Sequence, residues 1–353
     1  MKKRINIYLL ILFHLYVTDL VAQNTKFDLL FEKADTLYIT LGEDIVFDSP
    51  IDLCLGEQNL VWGSRESFVT FSSDDGKYIN FQEHKGRGPG KFSGATHYIC
   101  GPSDSLLILD TAGSKIISFN YNPEEKRYEL SHEFKFPLHG ARKFAYTQNA
   151  FFTLNENPLK RTGLSAITGY TNTGDKINEA GSIPYAASLQ SYIIGSGGIT
   201  TDNKGSIYYS YLGSHKVWKW DSHSDSVTTL NHKPSYYTGS DSTELRLINS
   251  NTSAMDEIRY AYAISRVTGL FHAEPNLIIQ QFEPDNYLEG AKQKVMLEIW
   301  STEGKKIHSA VQAPNVISFT KKDLIYIPVD FYADLMEGEG KRIAFIGYRF
   351  VGQ

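Results

Sequence analysis

The stretch SLLILDTAGSKIISFNYNPEEKRYEL (Ser105–Leu130) decides the fold. Two short apolar runs are joined by the tight turn Thr111–Ser114. A third, more polar run follows the Asn122–Pro123 turn. Each run spans four to seven residues and favours Ile, Leu, Phe and Tyr, side chains that fit a pleated surface. A preceding run, Thr96–Cys100, supplies one more strand. The unit therefore reads as an inner strand, two central strands and an outer strand (here Arg127–Leu130), all antiparallel.

The same unit recurs along the chain. It begins again at Asn59 (NLVWGSRESFVTFSSDDGKYINF), Ala150, Ser206, Asn276 and Asp323. Successive starts are 46, 45, 56, 70 and 47 residues apart, so six units account for most of the 353 residues. Short inner strands also fit at Ile51–Leu55 and Val316–Thr320, and Lys77–Phe81 fits as an outer strand. A repeat of about 40–50 residues with four antiparallel strands predicts an all-β, six-bladed β-propeller. One twisted sheet leaves both faces wet, whereas six packed radially bury them. The additional run Leu37–Phe47 precedes the first unit and is expected to close the ring as the outer strand of the last blade. A parallel β-solenoid and a pair of β-sandwiches are the competing architectures. The solenoid needs shorter rungs with tighter small-residue periodicity.

Composition agrees with a folded β protein. The apolar share of 41% and charged share of 21% exclude a disordered chain, and 22 Tyr and 20 Phe against 4 Met favour strands over helices. A net charge of −5 argues against general nucleic-acid binding. The N-terminus reads as an export signal. Lys2-Lys3-Arg4 is followed by the apolar stretch Ile5–Val17, and cleavage is expected after Ala22, leaving residues 23–353 as one domain with net charge −7. Thirteen apolar residues rise only about 20 Å, short of the roughly 30 Å needed to span a bilayer. No Cys lies near the end of the apolar stretch, so a lipid anchor there is not expected. The expected product is periplasmic or extracellular, monomeric and without a stable membrane span.

Export permits a disulfide between the two cysteines, Cys54 and Cys100. Each stands six residues before an equivalent apolar residue, Leu60 and Leu106, so they occupy the same place in successive units. Equivalent places in neighbouring units are commonly too far apart to bridge, and buried free thiols are the expectation, with a disulfide left open.

The segment Gly86-Arg87-Gly88-Pro89-Gly90-Lys91-Phe92, followed by Cys100-Gly101-Pro102 and SLLILDTAGSKIISFN, resembles the linker-plus-blade motif of exported bacterial six-bladed propellers related to NHL-repeat and TolB-like proteins. In that pattern a glycine-rich segment crosses from one blade's outer strand to the next inner strand. Asp104–Asp110 with Lys115–Phe119, and Lys204–Ser210 with Lys216–Trp220, match its strand signatures. Lys91 departs from the acidic residue usual there. The resemblance implies a fold and an envelope address without assigning an activity.

Catalytic signatures are weak. The glycine segment is not a phosphate loop, because Lys85 replaces its first glycine and Phe92 its hydroxyl residue. A dinucleotide fingerprint also fails on spacing. These glycines are better read as a tight crossover with Phe92 packed between sheets. The ten histidines form no zinc pattern, and Gly195–Gly198 lacks a nucleophile elbow. Asp221–Asp225 reads as a solvated hairpin, so no metal and no cofactor are expected.

A binding funnel is the more specific expectation. The inter-blade links carry Arg87, His97, Arg142, Tyr192, Tyr237, Arg259, Tyr262 and Arg266, whose rings and guanidinium groups suit stacking and carboxylate pairing. The longest link, Asn231–Pro275, also holds a helix candidate, Ser253–Ile264. The chain thus reads as a binding or interaction module for a glycan, a peptide or an envelope protein. The alternative is a carbohydrate-active hydrolase or lyase, which requires acid and base groups at the axis.

Overall fold

A computed structural model describes residues 26–40, 51–135, 141, 143–147, 150–156, 164–184, 197–238, 264–284, 294–329 and 342–352. The described residues form six four-stranded antiparallel sheets. Blade 1 comprises β2 (Asp52–Leu55), β3 (Asn59–Gly63), β4 (Ser67–Ser72) and β5 (Tyr78–Glu83). Blade 2 comprises β6 (Ala95–Cys100), β7 (Leu106–Asp110), β8 (Lys115–Asn122) and β9 (Arg127–Lys135). In blade 3 the strands are β10 (Lys143–Thr147), β11 (Ala150–Leu154), β12 (Ile167–Thr171) and β13 (Lys176–Ala180). Blade 4 has β14 (Gly198–Thr201), β15 (Ile207–Ser210), β16 (Val217–Asp221) and β17 (Ser226–Leu230). Blade 5 follows with β18 (Arg266–Ala273), β19 (Leu277–Glu283), β20 (Val295–Ser301) and β21 (Lys306–Ala313).

Blade 6 joins the two ends of the chain. Its order is β22 (Phe319–Lys321), β23 (Leu324–Val329), β24 (Arg342–Phe350) and β1 (Phe31–Thr40). The N-terminal strand is thus the outer strand of the last blade, as expected, but it starts six residues before Leu37. Its first half, Phe31-Glu32-Lys33-Ala34-Asp35, is polar enough to resemble a linker. It pairs nonetheless because β24 offers an open edge, with Phe31 opposite Phe350 and Leu37 opposite Phe345. A short helix, α1 (Lys26–Leu30), leads into it and buries Phe27 and Leu30. At the closing seam Gly76 adopts a positive φ of 65°, and a Cβ there would run into the carbonyl oxygen of Tyr38. The candidate helix Ser253–Ile264 lies outside the described residues, apart from its last residue.

The continuous apolar runs follow from each strand serving two seams. In β7, Leu106 and Ile108 pack with Phe68, Phe119 and Tyr98 between blades 1 and 2. Leu107 and Leu109 point the other way, to Phe144 and Phe151 of blade 3. Successive side chains point to opposite faces, so both sets of a central strand are buried. Each fully buried side chain of this size contributes about 1.5–3 kcal/mol. The crossover between blades 1 and 2 feeds the same seam. Phe92 is fully buried and stacks on His84 at 5.4 Å, and His84 stacks in turn on Phe68 at 5.2 Å. Gly86 and Gly90 take φ values of 133° and 66°, conformations that glycine adopts without a steric cost.

Blades 1 and 2 are also pinned by contacts at a constant offset along the chain. Gln58 N–H donates to Asp104 Oδ1 at 2.9 Å, and Gln82 exchanges two hydrogen bonds with the backbone of Tyr128 at 2.8 and 2.7 Å. Asp52 accepts from Tyr98 N–H at 2.8 Å. Every one of these pairs is separated by 46 residues, and so is the Cys54–Cys100 disulfide. The free-thiol expectation is therefore corrected. It overlooked that blades converge toward the axis. Inner strands β2 and β6 lie side by side there, and the two Cα atoms are 5.4 Å apart, well within bridging range.

Replacing both cysteines by serine releases a 46-residue loop in the unfolded chain. Loop-closure entropy sets the expected loss of stability at up to about 4 kcal/mol. Denaturant unfolding should show a lower midpoint for the variant and for the reduced wild type alike, and no difference would mean that the bridge carries no stability.

Candidate functional site

The starts of the inner strands converge on the face that carries the blade-to-blade crossovers. An inner strand leaves half of its backbone groups turned toward the axis, where no further strand can pair them. Three side chains at successive repeat positions meet this need. Asp52 opens β2, His97 lies near the start of β6, and Lys143 opens β10. Each reaches across a seam to the next blade.

Asp52 Oδ2 accepts from Tyr98 N–H at 2.8 Å, while its Oδ1 accepts from Leu53 N–H at 3.0 Å. His97 Nδ1 lies 3.2 Å from Phe144 N, and because that backbone N–H donates, the neutral ring carries its proton on Nε2. Nε2 faces Asp52 Oδ2 at 3.6 Å. Lys143 Nζ donates to the carbonyl of Gly197, just ahead of β14, at 2.6 Å. The outcome is a polar staircase climbing through blades 1 to 4.

Burial dominates the electrostatics of this belt. It lowers the His97 pKa, the nearby Asp52 carboxylate opposes that, and the Lys143 ammonium adds to the lowering. Burial also lowers the Lys143 pKa, against the attraction of Asp52 and Glu156. Glu156 follows β11 and is almost fully buried.

Beside the belt, between blades 6 and 1, lies a cleft of about 210 Å³. Ile51, Leu53, Trp62, Val316, Ile317 and Pro328 line it, together with Asp52 and Ser318. Ile317 is held by its N–H, which donates to Gln281 Oε1 of blade 5 at 2.6 Å. Gln281 is itself buried and donates to Thr268 Oγ1 at 3.0 Å.

The candidate residues named from sequence fall into three groups. His97 is part of the belt. Arg87 is exposed at the tip of the first crossover, on the same face. Arg266 opens β18 in blade 5, across the ring from His97, but it is buried and committed to Glu283 Oε2 at 2.6 Å. Tyr237 is buried as well. Its hydroxyl donates to the Gly213 carbonyl at 2.5 Å, and its ring meets Phe282 edge-on at 5.9 Å. Arg142, Tyr192, Arg259 and Tyr262 lie outside the described residues. The hairpin Asp221–Asp225 is bonded within itself, Asp221 accepting from His223 N–H and from Ser224.

Sequence reasoning missed Asp52, Lys143 and the cleft. A signal existed in the repeat: positions 52, 97 and 143 lie 45 and 46 residues apart, and each puts a polar side chain at the head of an apolar inner strand.

A family model described as a 6-bladed beta-propeller matches residues 63–286. Among solved structures, a protein of Bacteroides fragilis described as exported is similar at a TM-score of 0.62, with 10% identity over 92% of this chain and 96% of that one. Virginiamycin B lyase from Staphylococcus aureus is similar at a TM-score of 0.46, with 13% identity over 89% of this chain and 99% of its own. At such identities the likeness concerns the fold. No curated protein matches the chain.

The lowered His97 pKa has a defined consequence for pH. The unfolded chain takes up a proton at this ring near pH 6.5, before the folded one does. Its contribution to stability is complete above that pH and falls as the pH drops through it. Urea midpoints measured from pH 8 to 5 should therefore decline less steeply for His97→Gln, whose amide oxygen still accepts from Phe144 N–H without titrating. Equal slopes would remove His97 from the acid response.

Proposed function

The chain belongs to the 6-bladed beta-propeller family, and on that footing we propose that it is an exported binding module that holds a polypeptide segment at the axial mouth of its crossover face. The observation that carries this reading is the cleft between blades 6 and 1. Six of its eight lining residues are apolar, and Asp52 and Ser318 add the polar groups. Such a lining suits an apolar side chain of a peptide. A glycan asks for several hydrogen-bonding groups and an open aromatic platform, and the ring-bearing residue of the cleft, Trp62, is only 3% exposed.

Export is supported by the inter-blade disulfide, which persists in an oxidising compartment. The basic and apolar leader Lys2–Ala22 points the same way. A binding role is supported by the state of the belt. Both ring nitrogens of His97 already face partners, and both carboxylate oxygens of Asp52 accept backbone N–H groups. A carbohydrate-active enzyme needs an acid and a base free to exchange protons with substrate, and these two groups are committed to the scaffold.

Peptide and glycan arrays probed with residues 24–353 test the reading. Peptides should be captured, and Ile51→Arg should weaken capture at least about ten-fold, a difference of about 1.4 kcal/mol. Ile51 is already 38% exposed, so the substitution should shift stability by no more than about 0.5 kcal/mol. Capture of glycans indifferent to Ile51→Arg, or release of cleaved products, would overturn it.

A further inference from the structure

Among the described residues three buried or half-buried cations are neutralised by carboxylates. Lys115 meets Glu133 at 2.9 Å, Arg266 meets Glu283 at 2.6 Å, and Lys306 meets Glu298. Lys143, like the half-buried Lys26 and Lys219, meets a carbonyl instead. It stands at the axial mouth, and among the described residues its one hydrogen-bond partner is the Gly197 carbonyl at 2.6 Å. Among the described residues no carboxylate forms an ion pair with it. An ammonium has three N–H donors, so two are left for another acceptor. Withdrawing such a charge from water without a counter-ion is costly, and a ligand that supplies the counter-ion recovers that cost.

We propose that Lys143 is an anion-recognition point of the axial mouth and takes a carboxylate group of the bound ligand. The proposal rests on reading the mouth as a binding site and adds a charge requirement to it. Asp52 and Glu156 act on the same ammonium from a distance and also repel an incoming anion. Monoanions are favoured because the cost of desolvating an ion rises with the square of its charge, whereas its attraction to the single ammonium rises only linearly. The two resident carboxylates do not replace the ligand. Asp52 is held by the N–H groups of Leu53 and Tyr98, and Glu156 is almost fully buried on blade 3. The carboxylate of a peptide C-terminus, or of an acidic side chain, has the charge and the planar pair of acceptors that two free N–H donors can use.

Sodium acetate is the probe, with acetamide and phosphate as controls at matched ionic strength. The melting temperature of the wild type should rise with acetate up to about 100 mM, as expected for a ligand that binds only the folded state. It should not rise with acetamide, and should rise less with phosphate. Lys143→Met keeps the length of the side chain without its charge. It should raise the half-saturating acetate concentration at least about ten-fold, whereas Lys143→Arg should retain the response. Amide shifts of Gly197 and Gly198 on adding acetate to wild-type protein provide a readout that does not depend on the Met variant folding.

A wild type indifferent to acetate by both readouts, a Lys143→Met variant that responds like the wild type, or a response as large to phosphate would each overturn the proposal. Peptide capture that depends on Ile51 without any acetate response would remove Lys143 alone. An acetate response with empty peptide arrays would leave Lys143 in place and remove the peptide reading.

Discussion

Each blade is a thin sheet with two oily faces, and neither can be covered from within the blade. Everything else in the molecule follows from that constraint. A core strand such as β7 must send Leu106 and Ile108 one way and Leu107 and Leu109 the other, so its sequence reads as an unbroken apolar run. Six seams need six blades, and the last sheet is completed only when β1 joins β22, β23 and β24. The inter-blade pairs at a constant 46-residue offset are the polar counterpart of this packing, fixing how one sheet sits on the next.

The axial belt is a product of the same geometry. Convergence brings inner strands close enough for a disulfide, and it also leaves backbone N–H groups facing a space that no strand can fill. Asp52 and His97 satisfy Tyr98 and Phe144 in turn, each acting as an acceptor for the following blade. At the third step the side chain is a donor, and it finds a carbonyl instead. A scaffold requirement thereby places one cation with spare donors in the mouth at the seam of blades 3 and 4, across the ring from the cleft between blades 6 and 1. On the proposed reading, recognition and architecture share the same few residues here.

Much of the fold was legible because period-two burial on both faces writes itself as short Val-, Ile- and Phe-rich runs between Gly, Asn and Asp turns. The ring-closing strand was legible only from Leu37 onward. Its beginning, Phe31–Asp35, lies on the outer edge of blade 6, where most side chains are exposed and the hydrophobic pattern fades. The cysteine pair was misjudged for a geometric reason: sequence does not give the radius at which two residues of neighbouring blades stand, and these two stand on inner strands with Cα atoms 5.4 Å apart. The site was less legible still. Tyr237 and Arg266 carry the polar tips of a binding surface, yet their partners, the Gly213 carbonyl and Glu283, are brought to them only by tertiary folding. Asp52 and Lys143 stand at the heads of inner strands, a position where charge is easily read as an exposed edge.

The pairing of β1 with β24 has a temporal consequence. Phe31 lies opposite Phe350, so the earliest-made strand waits for nearly the whole polypeptide before its own edge is occupied. A chain that emerges N-terminus first can assemble hairpins and stack its first blades, but it carries an unsealed interior on both flanks until β24 arrives. Contacts this distant in sequence form slowly and leave adhesive edges open meanwhile. A premature stop anywhere before residue 342 therefore yields no smaller working ring, only an open arc with two raw ends.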